Sequence, residues 1–258
     1  MHRVFTIEIP GIATLFFPAY VTFASIGLFC AMLVAYFRIS KTELMNFKRF
    51  FLLVGFIALG VVVGSKLLFI LTQLPHFMED PSIDNIIHIV ITSGFVFYGG
   101  LLGALLALYL YARVFKISYR QLSNIIAPSF PLFHMWGRIG CAFAGCCYGV
   151  ISDWGIVVED EPGVIRLPVQ FFESGVLLFI FITLLIVEKK YRDKVALMPL
   201  YLSLYAVARF ILEFFRGDTI RGIWFGLSTS QWISLSIVVV IAVRGMLNYR
   251  KQYNEYHY

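Results

Sequence analysis

The sequence predicts an all-α membrane protein with seven transmembrane helices, an external N-terminus and a cytoplasmic C-terminus. Three observations support this prediction. Charged residues form only 14% of the 258 residues and hydrophobic residues form 60%, whereas soluble domains carry about 25% charged residues. Apolar runs of about 20 residues, which is the length that crosses a bilayer core as a helix, recur along the chain. Basic residues collect in alternate connections between these runs.

The apolar runs define the predicted spans in order. They cover residues 13–37, 50–74, 91–112, 122–146, 168–187, 197–216 and 225–247. The third and fourth contain Gly and Pro, so we expect breaks in them. The connections are short and no repeat or linker divides the chain, so residues 1–258 are predicted to form a single polytopic membrane domain. The N-terminus has no basic stretch followed by an apolar core and a cleavage site, so no cleavable signal is expected.

The connections after the first, third, fifth and seventh spans are basic. Lys and Arg are enriched in cytoplasmic loops, so these connections are predicted to be cytoplasmic. As topology signals next to membrane lipids, they argue against nucleic-acid binding despite the net charge of +6. The basic residues are Arg38, Lys41, Lys48, Arg49, Arg113, Lys116, Arg120, Lys189, Lys190, Arg192, Lys194, Arg244, Arg250 and Lys251. The opposite loops are acidic, with Glu79, Asp80, Asp84, Asp153, Glu159, Asp160 and Glu161.

A few ionisable residues fall within or at the edge of the predicted spans. Such groups cost a few kcal/mol at mid-membrane, so they usually pair inside a helix bundle and mark a functional site. Three of them, at positions 209, 213 and 216, share one helix face. The deeper Arg209 favours function, whereas Arg216, next to Asp218, is expected nearer the water, where a neutralised pair explains it equally well. The set is Lys66, Arg138, Glu173, Arg209, Glu213 and Arg216.

Glycines surround Arg138. Irregular backbone at membrane depth is tolerated only where it is buried in protein or lines a cavity, so a re-entrant loop near the outer leaflet is predicted. Two guanidinium groups there suit the phosphate of a phospholipid head group. A second cluster, Gly99, Gly100 and Gly103, is by itself explained more simply as a helix-packing motif. The glycines near Arg138 are Gly137, Gly140, Gly145 and Gly149.

Four motifs, in this order, resemble the prolipoprotein diacylglyceryl transferase family: FVFYGGLLG, IAPSFPLFHMWGRIGCAFAGCCYG, RLPVQFFE and YAVARFILEFFR. The resemblance covers most of the chain. It implies a multi-pass bacterial cytoplasmic-membrane enzyme with seven helices and an external N-terminus. Such an enzyme transfers a diacylglyceryl group from phosphatidylglycerol to the thiol of a lipobox cysteine in a secreted precursor. The resemblance implies no cofactor and no metal.

The resemblance also implies roles for individual residues. Arg138 and Arg209 are expected to bind the head group, with Glu213 orienting Arg209. The other residues expected to contact the substrate are Tyr20, Lys66, Gly99, Gly100, Gly137, Gly140, Gly149, Gln170, Glu173, Tyr205 and Arg216.

Several positions depart from the family pattern. Tyr98 replaces the His of the H-G-G-L-I-G motif and is expected to supply a hydrogen bond or to take part in the proton transfer. Lys66 stands where Arg is usual. In the signature G-R-x-G-N-F-x-N-G-E-x-x-G, Cys141 and Ala144 replace the two Asn residues and Cys146 replaces the Glu. The connection over residues 150–165 is short for the family. The donor site is therefore expected to persist while the acceptor stays open. The alternatives are transfer of phosphoglycerol or acyl to a glycan, lipid or small acceptor, or a non-catalytic lipid-binding or transport protein.

The cysteines near Arg138 allow four interpretations. The first two are that Cys141, Cys146 and Cys147 are apolar filler, or that Cys141 forms a disulfide with one of the other two. The others are that one of the three is a nucleophilic thiolate, or that together they bind a metal ion with a non-standard spacing. We favour Cys146 as the functional thiol because it occupies the family's Glu position. His134, one turn before Arg138, is the best remaining general base, although a structural histidine in a polar pocket is the simpler interpretation. Cys30 is expected to be filler.

Overall fold

The computed structural model describes residues 4–9, 13–79, 82, 96–158, 162–191, 194–217 and 222–257. The helices are α1 (Ala19–Ile39), α2 (Phe47–Glu79), α3 (Phe97–Val114), α4 (Tyr119–Ile126), α5 (Ser129–Phe143), α6 (Val169–Tyr191), α7 (Leu197–Leu212) and α8 (Thr229–His257). A 3₁₀ turn over Glu213–Phe215 continues α7. The strands are β1 (Val4–Ile9), β2 (Ala13–Pro18), β3 (Ile151–Val157), β4 (Ile165–Arg166), β5 (Ile223–Trp224) and β6 (Leu227–Ser228).

Six helical stretches among the described residues are long and apolar enough to cross a membrane. They are Ala19–Ile39, Phe47–Thr72, Phe97–Val114, Val169–Tyr191, Leu197–Phe215 and Thr229–Leu247. These stretches confirm a membrane protein built from apolar helices. The predicted count of seven and the predicted orientation stay predictions.

The predicted span over residues 122–146 is broken, as its composition suggested. The chain turns at Ala127 and Pro128, between α4 and α5. Proline lacks an N–H and its ring clashes with the preceding helical turn, so a helix cannot continue smoothly through it. The 15 residues of α5 rise about 22 Å at 1.5 Å per residue, which is less than the bilayer core of about 30 Å.

The ends of other predicted spans also differ from the structure. The first begins at Ala19 rather than at residue 13, because residues 13–18 form β2. The last continues beyond residue 247 to His257. In the third, α3 begins at Phe97, and residues 91–95 lie outside the described residues. Five of the predicted acidic loop positions and one basic position also lie outside them, namely Asp80, Asp84, Glu159, Asp160, Glu161 and Arg192.

The helices confirm the predicted helical class, and short strands accompany them in the described chain. Three antiparallel two-stranded ribbons, β1–β2, β3–β4 and β5–β6, connect or precede the helices. The longest pairs Val4 with Pro18 and Ile9 with Ala13. Its two strands, VFTIEI and ATLFFP, are rich in β-branched and aromatic residues, which favour extended backbone.

The chain forms two compact units, Met1–Ala35 with Ile126–Tyr258, and Tyr36–Ile125. In the second unit, α2 and α3 touch backbone to backbone. A methyl group on Gly103 would overlap the carbonyl of Gly60, and one on Gly99 would overlap the carbonyl of Gly64. The packing interpretation of the glycine cluster therefore holds for Gly99 and Gly103, because small residues permit this close approach.

In the first unit, α5 and α7 each pack against α6, α7 also packs against α8, and α1 lies against α5. The contact between α1 and α5 is aromatic, since the Phe23 ring stacks on Phe143 with centroids 4.8 Å apart. A methyl group on Gly140 would lie 3.3 Å from the backbone of Tyr20. This packing brings the C-terminal ends of α5 and α7 to the N-terminal ends of α6 and α8.

Candidate functional site

A single carboxylate, Glu173 in the first turns of α6, joins the two arginines that were predicted to act together. Its Oε1 accepts a hydrogen bond from the Tyr205 hydroxyl at 2.8 Å and lies 3.1 Å from Arg138 Nε. Its Oε2 lies 3.3 Å from Arg209 Nη1. Glu173 is only 2% exposed. Burial of an ionised carboxylate is tolerated because it is paired and hydrogen-bonded on both oxygens.

Arg209 is held between two carboxylates. Its Nη2 lies 2.6 Å from Glu213 Oε2, one helical turn further on. The same nitrogen donates to the Ser230 hydroxyl on α8 at 3.4 Å. Helical spacing alone dictates the contact with Glu213, whereas the contacts with Glu173 and Ser230 require that α6, α7 and α8 pack together.

His134 belongs to the same network. Arg138 Nε donates to His134 Nε2 at 3.2 Å, and the His134 ring lies edge-on to Tyr205 with centroids 4.8 Å apart. Since Nε2 accepts a hydrogen bond from Arg138 Nε, its lone pair is engaged, and His134 could accept a substrate proton there only if Arg138 moved. This geometry favours the structural interpretation of His134, and its role as a base stays a prediction.

Arg216 is buried inside the protein as Arg138 is, and the expectation that it lies nearer the water than Arg209 stays a prediction. Exposure is 8% for Arg216, 8% for Arg138 and 5% for Arg209. The backbone holds Arg216 in place through a bridge to Gly149, because Val150 N donates to Phe215 O and Gly217 N to Tyr148 O, both at 3.0 Å. Asp218, its expected partner, lies outside the described residues.

The atoms around Gly149 leave no room for a side chain. A methyl group there would lie 2.6 Å from the Leu167 carbonyl and 2.7 Å from the Leu167 and Val169 side chains. Gly149 N donates to the same Leu167 carbonyl at 2.9 Å. The glycine thus serves close backbone packing, which joins the signature loop to the segment that carries Arg216.

A polar cavity of about 200 Å³ opens beside Arg209 and Arg216. Among the described residues the cluster holds three buried arginines and two buried glutamates, and guanidinium groups that border a cavity can bind the oxygens of a phosphodiester. The hydroxyl-rich wall was missed by the sequence reasoning. The only signal for it is the run of hydroxyl side chains that opens the last apolar segment. The cavity is lined by Arg209, Glu213, Arg216, Gly222, Ser228, Thr229 and Ser230.

The predicted thiols lie one turn beyond Arg138. Cys141, Cys146 and Cys147 are free thiols with their three sulfurs within 4.8 Å of one another. Cys141 is buried and Cys146 is exposed. Gln170, in the first turn of α6, donates from Nε2 to the Cys146 carbonyl at 2.7 Å, so the loop of thiols is attached to the helix that carries Glu173.

The remaining predicted residues fall into two groups. In the first unit, Tyr20 begins α1 against Gly140, while no described neighbour lies within 4 Å of where a Gly137 side chain would begin. In the second unit, α2 carries Lys66 and α3 carries Tyr98, Gly99 and Gly100. A methyl group on Gly100 would lie 2.6 Å from Ser65 Oγ. Participation of these second-unit residues in the site stays a prediction.

The apolar helices define a membrane protein, and the buried arginine cluster is its candidate site for an anionic group. Residues 10–247 match the family model described as prolipoprotein diacylglyceryl transferase. This chain belongs to the prolipoprotein diacylglyceryl transferase family and is therefore a member of a family of transferases, which confirms the resemblance seen in its motifs.

Individual relatives agree with the family match. The chain is 33% identical over 220 residues to phosphatidylglycerol–prolipoprotein diacylglyceryl transferase 2 of Clostridium perfringens, covering 83% of this chain and 84% of the relative. It is 33% identical over 201 residues to the transferase of Clostridium tetani, covering 75% and 79%. It is 36% identical over 194 residues to that of Idiomarina loihiensis, covering 72% and 70%.

Proposed function

We propose that this protein transfers a diacylglyceryl group from phosphatidylglycerol to the thiol of a lipobox cysteine, in the cytoplasmic membrane of a bacterium. The observation that carries the proposal is the buried arginine cluster, two of whose members, Arg209 and Arg216, border a cavity of about 200 Å³. The names of the relatives support the donor and the acceptor, since they are phosphatidylglycerol–prolipoprotein diacylglyceryl transferases.

The head group of the donor is proposed to occupy this cavity. Arg209 and Arg216 face it, and the hydroxyls of Thr229 and Ser230 lie on its wall. The planar guanidinium groups can bind the phosphate oxygens in pairs. Arg138 lies on the other side of Glu173 and is 3.1 Å from its Oε1, so its proposed part is to hold this carboxylate and, through it, Arg209.

The proposed reaction is a substitution at the glycerol carbon that bears the phosphate. The acceptor sulfur forms a C–S bond with this carbon while the C–O bond to phosphate breaks, and glycerol phosphate leaves with the electron pair. The thiol proton passes to a base. The arginines that already bind the phosphate would stabilise the charge that develops on the leaving oxygen, where preorganised donors contribute most. The catalytic parts predicted for Tyr98, Cys141, Cys146 and His134 remain proposals about the proton transfer.

One observation favours a second candidate, a smaller acceptor. Only residues 150–165 separate the signature loop from the RLPVQFFE motif, and their described part is the β3–β4 ribbon, in which β4 has two residues. So short a connection offers little surface to a polypeptide. Transfer of phosphoglycerol or acyl to a glycan, lipid or small molecule would suit it better.

Product analysis would separate these candidates. The purified protein in phosphatidylglycerol-containing vesicles would be incubated with a synthetic lipobox peptide, and peptide and lipids would be measured by mass spectrometry. We expect a peptide heavier by one diacylglyceryl group and an equal amount of glycerol phosphate. Loss of phosphatidylglycerol without a modified peptide would favour the second candidate. Binding of phosphatidylglycerol without turnover would indicate a lipid-binding or transport protein.

A further inference from the structure

The proposed transfer does not explain why three thiols meet at the end of α5. We propose that Cys141, Cys146 and Cys147 form a binding site for one thiophilic metal ion of the Zn²⁺ type. The observation behind this proposal is that the three sulfurs lie within 4.8 Å of one another. The proposal concerns metal binding alone, so it does not depend on the transferase reaction.

The end of α5 explains why the first two sulfurs meet. Cys146 N donates to the Cys141 carbonyl at 3.1 Å and Gly145 N donates to the Ala142 carbonyl at 3.3 Å, while Gly145 has a φ of +72°. These features define a Schellman motif, in which the two residues that correspond to Cys141 and Cys146 usually make a side-chain contact. Here both side chains are thiols, so the local helix end brings them together.

The third sulfur reaches the group through an unusual backbone conformation. Cys147 has a φ of +59°, in the left-handed region that costs a non-glycine residue roughly 1–2 kcal/mol. This turn folds the chain back, and the Cys147 sulfur joins the other two. A disulfide would join only two of these sulfurs and would not explain why the third lies beside them.

The loop is also fixed from α6. Gln170 Nε2 donates to the Cys146 carbonyl at 2.7 Å, and Gln170 is 1% exposed. Its Oε1 has no hydrogen-bond partner in the part of the chain that the structure describes. Burial of an amide oxygen without a hydrogen-bond partner costs free energy. A water molecule bound to the metal ion could donate a hydrogen bond to this Gln170 oxygen.

The spacing of the sulfurs fits a metal ion. Three thiolates at about 2.3 Å from a tetrahedral Zn²⁺ lie about 3.8 Å apart, which is at most about 1 Å less than the present separation. Small side-chain rotations would close the site, and a fourth position would stay open to water. Cys146 is exposed, which provides a path for the ion to enter.

Metal binding would have a structural consequence at the arginine cluster. The same loop continues from Cys147 to Gly149, whose backbone forms the bridge with Arg216. An ion that fixes Cys146 and Cys147 would therefore also hold the segment against which Arg216 is placed.

The site can be tested on the full-length protein in detergent micelles, purified under reducing conditions with Zn²⁺ as the probe. Bound zinc would be counted by elemental analysis after removal of excess ion. We expect one Zn²⁺ per chain, with protection of three of the four cysteines from alkylation by N-ethylmaleimide. Addition of a chelator should restore the reactivity of Cys146 and Cys147, which are less buried than Cys141. This second readout uses the unmodified chain, so it does not depend on a variant that might fail to fold.

Cysteine variants provide the matched comparison. Cys141→Ser, Cys146→Ser and Cys147→Ser should each weaken Zn²⁺ binding at least tenfold, whereas Cys30→Ser, a thiol on α1 outside the cluster, should bind like the unmodified protein. Substoichiometric zinc, or equal binding in Cys30→Ser and Cys146→Ser, would overturn the proposal. A Cys141 peptide linked to Cys146 or Cys147 in protein purified without reductant, together with no zinc uptake after reduction, would also overturn it in favour of a disulfide.

Discussion

At the scale of single residues, the site depends on how its buried arginines and glutamates pair with one another. Glu173 contacts Arg138 and Arg209 from two different helices, and Glu213 contacts Arg209 from the next helical turn. A charge of this kind is stable in a membrane protein only while its partners remain. Removal of one carboxylate should therefore affect folding as well as binding.

We predict that Glu173→Gln destabilises the protein by about 3 kcal/mol, because breaking a buried ion pair leaves uncompensated charge. The amide keeps the size of the side chain but removes its charge, so Arg138 and Arg209 would repel each other. Thermal unfolding in detergent would measure the effect. Glu188→Gln, near the other end of the same helix, is the control and should change little. Equal stability of the two variants would contradict the central position of Glu173.

We predict that Arg209→Lys and Arg216→Lys each lower kcat/KM for phosphatidylglycerol at least tenfold. Lysine keeps the charge but loses the planar fork that binds phosphate oxygens in pairs. Both arginines line the cavity, so similar losses are expected, although sequence spacing alone suggested a minor part for Arg216. Arg244→Lys, on the exposed surface of α8, is the matched control. Turnover of Arg216→Lys at the control rate would remove this residue from the head-group site.

At the scale of elements, glycines that look alike in the sequence have different structural roles. Gly103 on α3 lies so close to Gly60 on α2 that no side chain fits between the helices. Gly137 on α5 meets no described neighbour within 4 Å of where its side chain would begin. Both lie inside helices, where glycine is about 1 kcal/mol less favourable than alanine. Packing alone decides the effect of adding a methyl group.

We predict opposite effects for two alanine substitutions. Gly103→Ala should destabilise the protein by about 1–3 kcal/mol or more, since overpacking forces the helix backbones apart. Gly137→Ala should be neutral or stabilise by up to about 1 kcal/mol, because helix propensity improves without a clash. Unfolding curves in the same detergent would compare them. A loss of stability in Gly137→Ala as large as that in Gly103→Ala would mean that the surface of α5 is covered.

At the scale of the whole molecule, the ends of four helices in the first unit form the site. Arg138 is near the end of α5, Glu173 near the start of α6, Arg209 near the end of α7 and Ser230 at the start of α8. The basic residues of α6, such as Lys189, stand at the other end of that helix. If basic ends face the cytoplasm, the site faces the outer leaflet.

Reporter fusions test this orientation. A reporter that is active only in the cytoplasm should be active when it is fused after Tyr258 and inactive when it is inserted in the connection over residues 150–165. A reporter that requires export should give the reverse pattern. The reason is the alternation of basic and acidic connections, which orients helices during insertion. Cytoplasmic activity of the insertion at residues 150–165 would place the head-group site at the inner leaflet.

The sequence by itself determined the membrane class, most of the spanning helices, the family and the contact within ARFILEFFR. Each of these depends on composition or on local spacing, because apolar length and helical periodicity act over short stretches of chain. A break in the span over residues 122–146 was expected for the same reason, whereas its position at Pro128 came from the structure.

Only the tertiary structure decided which residues meet across the chain. Glu173 reaches Arg209 over 36 positions, Arg216 is buried because its backbone pairs with Gly149, and the hydroxyls of α8 close the cavity. Sequence spacing could not foresee these contacts, since they depend on which helix ends pack together and on buried charges that must find partners. The three thiols meet through local structure that the sequence analysis did not predict. The end of α5 brings Cys141 close to Cys146, and the left-handed conformation of Cys147 places the third sulfur beside them.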